Sequence, residues 1–211
     1  MNIVVSRYKK NTDFIYKLEK YGVNILIYDK ETPSNPYNVP INRGNEASTY
    51  LKYIVDHYDN LPEYTLFLHD EEYSWHHNGS IEERFLEAVN SNELYYNINN
   101  FYLKPTDVEQ NKKFYRWYKK YIQPYIPLRK LPKNWMKGHK GCAQFLVHKS
   151  LIQHLPKKFY QDLYDWILNF KDGKLSGYYL EWTWHLFWDI SPNIYNPPRN
   201  RFISFFMNRF A

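Results

Sequence analysis

The stretch NIVVSRYKKNTDFIYKLEKYGVNILIYDK, Asn2 to Lys30, sets two short apolar runs on either side of an amphipathic segment. NIVVSRY reads as a buried strand. TDFIYKLEKYG reads as a helix, with Asp13 in its first turn and Gly22 just past its last periodic residue. VNILIYDK is a second buried strand. Strand, helix, strand in about 30 residues is a βαβ unit, which implies parallel strands joined by a right-handed crossover.

Downstream, ETPSNPYNVPINRG carries three prolines and three asparagines and predicts a loop. From Asn45 to Tyr58, the residues Ala47, Tyr50, Leu51, Ile54, Val55 and Tyr58 recur at helical spacing. DNLPE then returns the chain to a third strand, YTLFLH. In SIEERFLEAVNS, Ser80 and Glu83 form the capping box of another helix. ELYYNINNFYL and GCAQFLVHK have strand composition. DVEQNKKFYRWYKKYIQPY, PKKFYQDLYDWILNFK and GYYLEWTWHLFWDI read as helices, and YNPPRNR followed by FISFFMNRF as a turn and an apolar end segment. The fold class expected is therefore α/β, a mixed sheet flanked by helices. One domain over residues 1–211 is expected, with the Pro-Pro turn and apolar tail hinting that it is the first module of a longer protein.

Composition narrows the partners. The 211 residues carry a formal net charge of +6, which favours anionic ligands without choosing between nucleic acid and a nucleotide-linked substrate. Twenty-two Tyr and seven Trp suit a thick core, sugar-stacking surfaces or nucleobase platforms. No apolar run is long enough to span a membrane, and MNIVVSRYKK is too short in apolar residues for a signal core, so a soluble intracellular protein is expected. The single Cys142 cannot make an internal disulfide. There is no Walker lysine pattern and no G-x-G-x-x-G, which weakens nucleoside-triphosphatase and dinucleotide-binding readings.

In open α/β sheets ligands bind beyond the carboxyl ends of the strands. Here those ends are Ser6-Arg7-Tyr8, Tyr28-Asp29 and His69-Asp70-Glu71-Glu72. Clustered carboxylates repel unless a cation, a proton or a donor compensates them. On an extended segment Asp70 and Glu72 share a face and could offer oxygens to one hard divalent ion; the alternative is a surface turn whose acids meet solvent or lysines. His69, His76 and His77 match no zinc spacing and read as exposed loop histidines. NRGNEAS, Asn42 to Ser48, is a phosphate-binding candidate through Arg43 and the following helix N-terminus, or else Asn45 caps that helix and Arg43 is solvated. In LEWTWHLFW, Glu181 and His185 stand four apart on one face of an apolar helix, either a site or a mutually satisfied pair. His139, between Gly138 and Gly141, sits on a basic loop that could cover phosphates.

Taken together, the strand-end acid-x-acid motif, the earlier Arg-bearing loop and the late carboxylate with a histidine resemble the nucleotide-sugar-dependent glycosyltransferases of the GT-A fold. NRGNEASTYLKYIVDHYDNLPEYTLFLHDEEYSWH also resembles a family found in fungi and large DNA viruses, including the chlorella virus-encoded glycosyltransferases for capsid glycans, whose amino-terminal domain the chain is similar to across its length. The resemblance implies a UDP-sugar donor, hexosyl or deoxyhexosyl transfer to a glycan or glycoprotein acceptor, and work in the cytoplasm of an infected host cell. It implies that Asp70 and Glu72, with His185 as a further contact, hold Mn2+ or Mg2+ against the donor diphosphate. Ser6, Arg7, Tyr8 and Asp29 would line the uridine pocket, and Arg43, Asn45 and His139 would meet the diphosphate or sugar. Glu181 would be the late carboxylate, the general base on the acceptor hydroxyl in inverting members or a group that orients or stabilises the sugar in retaining ones, and Trp75, Trp135 and Trp182 would be stacking candidates. The acid motif departs from Asp-x-Asp in having Glu72 at its second position. A divalent-metal nuclease and a non-catalytic carbohydrate-binding module are the competing readings.

Overall fold

The computed structural model describes residues 1–100, 102–103, 108–126 and 139–188, with backbone alone for 102–103, 108–111 and 139–140. Trp135, Gly138, the Pro-Pro turn and the apolar end segment lie outside the described residues.

The opening unit forms as its pattern requires. Strand β1 (Asn2–Arg7) and strand β2 (Asn24–Asp29) pair in parallel, Ile3 opposite Ile25 and Arg7 opposite Asp29. The segment between them, Asp13–Tyr21, is a 3-10 helix rather than the expected α-helix. Its fully buried residues, Ile15 and Leu18, are three apart, the repeat of a 3-10 turn, so this winding keeps both on the sheet. Gly22, at φ 70°, ends it by donating its N–H to Glu19 O at 2.9 Å.

Helix α1 (Ala47–His57) leads through a short 3-10 turn to β3 (Tyr64–His69), parallel to β1. Helix α2 (Ile81–Asn90) opens on the expected capping box: Ser80 Oγ accepts from Glu83 N–H, and Glu83 Oε2 accepts from Ser80 N–H at 2.7 Å. ELYYNINNFYL divides into β4 (Tyr95–Asn97) and β5 (Tyr102–Leu103), which join different sheets. Helix α3 (Val108–Tyr121) follows, then β6 (His139–Lys140), which pairs with β5, and β7 (Phe145–His148). Helices α4 (Lys149–Gln153), α5 (Lys157–Asn169), α6 (Gly173–Glu181) and α7 (Trp184–Trp188) complete the described chain. The main sheet has the order β2-β1-β3-β7-β4, with β7 antiparallel to both its neighbours. This is the mixed α/β sheet flanked by helices that the pattern implies.

Alternation along the strands divides the core into two. Ile3, Val5, Leu66 and Leu68 pack with Ile15, Leu18 and Phe85 on one face. Val4, Leu26 and Phe67 pack on the other face with α1, α3 and the later helices. Both faces being covered, β1 and β3 read as unbroken apolar runs. Much of the aromatic content goes here: Tyr50, Phe67, Phe145, Trp184 and Trp188 are fully buried, with Tyr50 and Phe67 centroids 4.7 Å apart.

One helix expected from the sequence is broken. GYYLEWTWHLFWDI ends α6 at Glu181, and α7 restarts at Trp184. Thr183 Oγ1 donates to Tyr179 O at 2.9 Å and to Leu180 O, tying itself back onto the last turn of α6. Glu181 and His185 thus belong to different helices, and the shared face expected of them does not form. No described helix is long and apolar enough to cross a membrane.

Candidate functional site at the strand ends

The three parallel strands finish together. Ser6 lies opposite Tyr28 and His69, and Arg7 opposite Asp29, so the turns after β1, β2 and β3 leave one edge of the sheet. Hydrogen bonds bind these turns to each other. Tyr8 N–H donates to Asp70 Oδ2 at 2.9 Å, and Lys30 N–H donates to Arg7 O at 3.2 Å.

The buried Asp29 is satisfied on both oxygens, by Arg7 Nη2 at 2.5 Å and by Glu31 N–H at 2.8 Å. Burial pushes its carboxyl up, but the Glu31 amide, Thr32 and Arg7 outweigh that and hold it below the usual range. Ser6 Oγ lies 2.9 Å from Thr49 Oγ1, joining the end of β1 to the first turn of α1. Tyr8 keeps an exposed ring, with Lys9 Nζ 5.1 Å from its centroid.

The acids after β3 have lysines for counter-ions. Asp70 Oδ1 lies 3.8 Å from Lys10 Nζ, Lys10 also pairs with Glu71, and Glu72 Oε1 accepts from Lys17 Nζ at 2.8 Å. An ion shared by Asp70 and Glu72 would have to displace both ammonium groups. Among the described residues, no set of three or more His, Cys, Asp and Glu side chains is arranged to hold a metal. His185 lies buried in α7.

The Asn42–Ser48 loop works differently from the expectation. Arg43 Nη1 donates to Leu168 O at 2.9 Å and Phe170 O at 3.2 Å, capping the carboxyl end of α5 rather than meeting solvent or a ligand. Gly44 donates to Gly173 O at 2.9 Å and adopts φ 70°, and a Cβ there would sit 2.6 Å from Ile167 Cγ2. Asn45 does not cap α1. At φ 48° it turns its side chain to α6, Nδ2 donating to Glu181 Oε1 at 3.4 Å. Gly177 makes room for this, since a Cβ on it would fall 2.7 Å from Asn45 Nδ2.

That docking assembles a cluster absent from the linear pattern. Lys30 Nζ, just past β2, donates to Asn45 O. Glu46, at the N-cap of α1, puts Oε2 3.9 Å from His69 Nε2. Glu46 Oε1 and His69 Nε2 are buried without a hydrogen-bond partner. His69 N–H donates to Gln144 Oε1 at 3.1 Å, and Gln144 Nε2 to the buried Asn99 Oδ1 at 3.1 Å, which anchors the end of β3 from beneath.

Burial dominates the electrostatics of the cluster. It pushes the Glu181 carboxyl up to about 7, with the Asn45 hydrogen bond opposing. Burial also raises Glu46, helped by the charge of Glu181, while Lys30 opposes. Lys30 itself is pulled down by burial against the pull of Glu46 and Asp70. His69 falls well below its usual value through burial, with His76, His77 and the lysines adding. The neighbouring Cys142 thiol is pushed up by burial and by Glu181 and Glu46, so it is a protonated thiol rather than a nucleophile.

The expectation of exposed histidines is corrected: His77 is buried, His69 nearly so, and the rings of His69 and His76 meet edge to face at 5.0 Å. Trp75 is exposed beside them, its ring 3.9 Å from that of His76. Trp182 instead packs on Phe114 and Tyr179 in the helical layer. The side chain of His139 lies outside the described residues, its backbone being in β6. Lys30 and Glu46 were missed by sequence reasoning. Their only signal is position: one follows an apolar strand directly, the other precedes an apolar helical repeat.

The fold and site define an α/β protein with a half-buried acid, amine and imidazole cluster at the carboxyl edge of its parallel strands. The model of a family described as Protein of unknown function (DUF3431) matches residues 3–201, and the chain belongs to that family. No curated protein and no solved structure matches it.

Proposed function

We propose that the protein is a GT-A-type glycosyltransferase that moves a sugar from a UDP-sugar to a saccharide acceptor, in the building of viral capsid glycans. The observation that carries this reading is Glu181, a half-buried carboxylate at the end of α6, held by Asn45 and pushed up to about 7. A group of that kind can take the proton of an acceptor hydroxyl as it attacks the anomeric carbon.

The rest of the edge suits the donor. The exposed Tyr8 ring and the Arg7 guanidinium suit a nucleoside, and Ser6 and Asp29 fix the turn that presents them. The positive end of α1 opens toward the same edge, where its dipole favours phosphate. Arg43 is spent on α5, which leaves Asn45 as the member of its loop that faces the reacting groups. Mn2+ or Mg2+ is the cofactor of this reading. The described side chains do not form a group that fits the ion, Asp70 and Glu72 meeting Lys10 and Lys17 instead, so no step is routed through it.

The test is calorimetric titration with UDP, GDP and CMP, each with and without Mn2+. The reading expects UDP to bind at least about tenfold tighter than the other two and more tightly with the ion. Equal affinity for all three nucleotides, unaffected by Mn2+, would remove it.

A further inference from the structure

Helix α6 has two faces in use. Gly177 and Glu181, four apart, turn to Asn45. Leu175 and Tyr179, also four apart, lie roughly 200° around the helix from them and line a cavity of about 970 Å³ whose other walls are α3 and α5. The cavity and the Asn45–Glu181 contact are therefore on opposite sides of α6. One wall of the cavity is aromatic. Trp117 and Tyr179 are buried, and the half-buried Trp166 lies against both, with centroids 5.1 Å and 6.2 Å away and its plane 7° from that of Tyr179. The rest of the lining carries both signs of charge. Lys113, Arg116 and Lys120 recur at i, i+3 and i+7 on one face of α3. Among the described residues no carboxylate pairs with any of the three, and Lys120 lies 5.0 Å over the Tyr121 ring. From α5 come Asp165, which is exposed, and Asp162, which accepts from Tyr125 Oη at 2.6 Å.

A purely apolar ligand would strip water from Lys113, Arg116, Lys120 and Asp165 and return no hydrogen bond. A phosphate ester only accepts, so it would suit the cations and leave the Asp162 and Asp165 carboxylates facing its own charge. A hydroxyl both donates and accepts, which is what a lining of mixed sign requires. A pyranose with equatorial hydroxyls also keeps flat C–H faces, and these lie well on the negative face of an aromatic ring. The volume has room for a short oligosaccharide. We infer that the cavity between α3, α5 and α6 binds a saccharide: a pyranose stacks on Trp166, its hydroxyl oxygens accept from Lys113, Arg116 and Lys120, and a hydroxyl donates to Asp165. This site is additional to the strand-end edge and needs neither nucleotide nor metal. Trp117 Nε1, a buried donor with no hydrogen-bond partner among the described residues, belongs to the same aromatic wall and serves as its reporter.

The experiment is titration of the full chain, labelled with nitrogen-15, with cellotriose and with chitotriose in the absence of nucleotide and metal, read from the tryptophan indole N–H resonances. The Trp117 and Trp166 signals should move with a Kd of about 1 mM or tighter for at least one of the two sugars, while those of Trp184 and Trp188, buried in the core, stay in place. Trp166→Ala should weaken binding at least about tenfold, and Asp165→Ala at least about threefold. Should Trp166→Ala fail to fold, Asp165→Ala gives the reading, since its exposed side chain can be removed without disturbing the core. Trp117 and Trp166 signals unmoved by about 10 mM of either sugar would overturn the inference. So would binding that Asp165→Ala leaves intact, or UDP moving the same two signals at lower concentration than either sugar. Absence of UDP binding altogether would sink the donor reading and leave the saccharide result standing.

Discussion

Glu181 concentrates the chemistry in one side chain. Its folded carboxyl sits near 7 against an ordinary 4.5, so the fold favours the protonated form. The sign follows from linkage: below about 4.5 Glu181 is neutral in both states and costs nothing, and the cost grows as pH rises from about 4.5 to about 7 and is constant above that. Glu181→Gln should therefore melt with the wild type near pH 4 and several degrees higher at pH 8, as measured by calorimetric scans at both pH values. Its turnover should fall at least about a hundredfold with donor affinity kept, and the wild-type rate should climb with pH to a half-maximum near 7 while the variant's profile is flat. Intact turnover in the variant would clear Glu181 of any catalytic part. Asp70 has a different character, since Oδ2 only needs to accept the Tyr8 amide, which an amide oxygen can also do. Asp70→Asn should leave the melting temperature nearly unchanged and weaken nucleotide binding in Mn2+; a large loss of stability would mark Asp70 as structural.

At the scale of elements, the contact between the turn before α1 and α6 does the assembling. Gly177→Ala would bring a methyl to 2.7 Å from Asn45 Nδ2 and 3.0 Å from the Gly44 carbonyl carbon, and neither neighbour is the free end of a long chain. The helices must part, so we expect a loss of about 1–3 kcal/mol in urea melts together with reduced turnover. Gly22→Ala is the comparison. Nothing lies within 4 Å of a Cβ there, and only the left-handed φ is strained, for about 1 kcal/mol and no change in turnover. If the two variants lose stability and activity alike, the Asn45 contact does not organise the site. Strand ends were legible at this scale because apolar runs stop where the sheet stops: Ser6, Asp29 and Asp70 follow from that. The winding of Asp13–Tyr21 and the break at Thr183 were not, since a spacing of three fits either helix type and a threonine bonding back to its own helix leaves no mark in periodicity.

For the molecule as a whole, the mixed sheet was readable because hydrophobic periodicity acts over a few residues. The cluster was not, because its members are residues 30, 46, 69, 70 and 181, polar groups at element ends with no spacing to link them. His69 shows why. Its sequence surroundings are a strand end and a run of acids, which suggest exposure, yet its ring meets that of His76 and lies near Glu46, which only the topology brings close. The fold also offers a nucleotide a second place. A cavity of about 970 Å³ between α3, α5 and α6 is lined by Trp117, Tyr121, Trp166 and Tyr179, with Arg116 and Lys120 beside them. Rings and cations suit a base and its phosphates there too. Crystals soaked in UDP and Mn2+ decide between the two. We predict diphosphate density beside Asp70 and Lys30, with the uracil against Tyr8; nucleotide found only in the Trp117–Trp166 cavity, or nowhere at saturating concentration, would contradict a donor site at the strand ends.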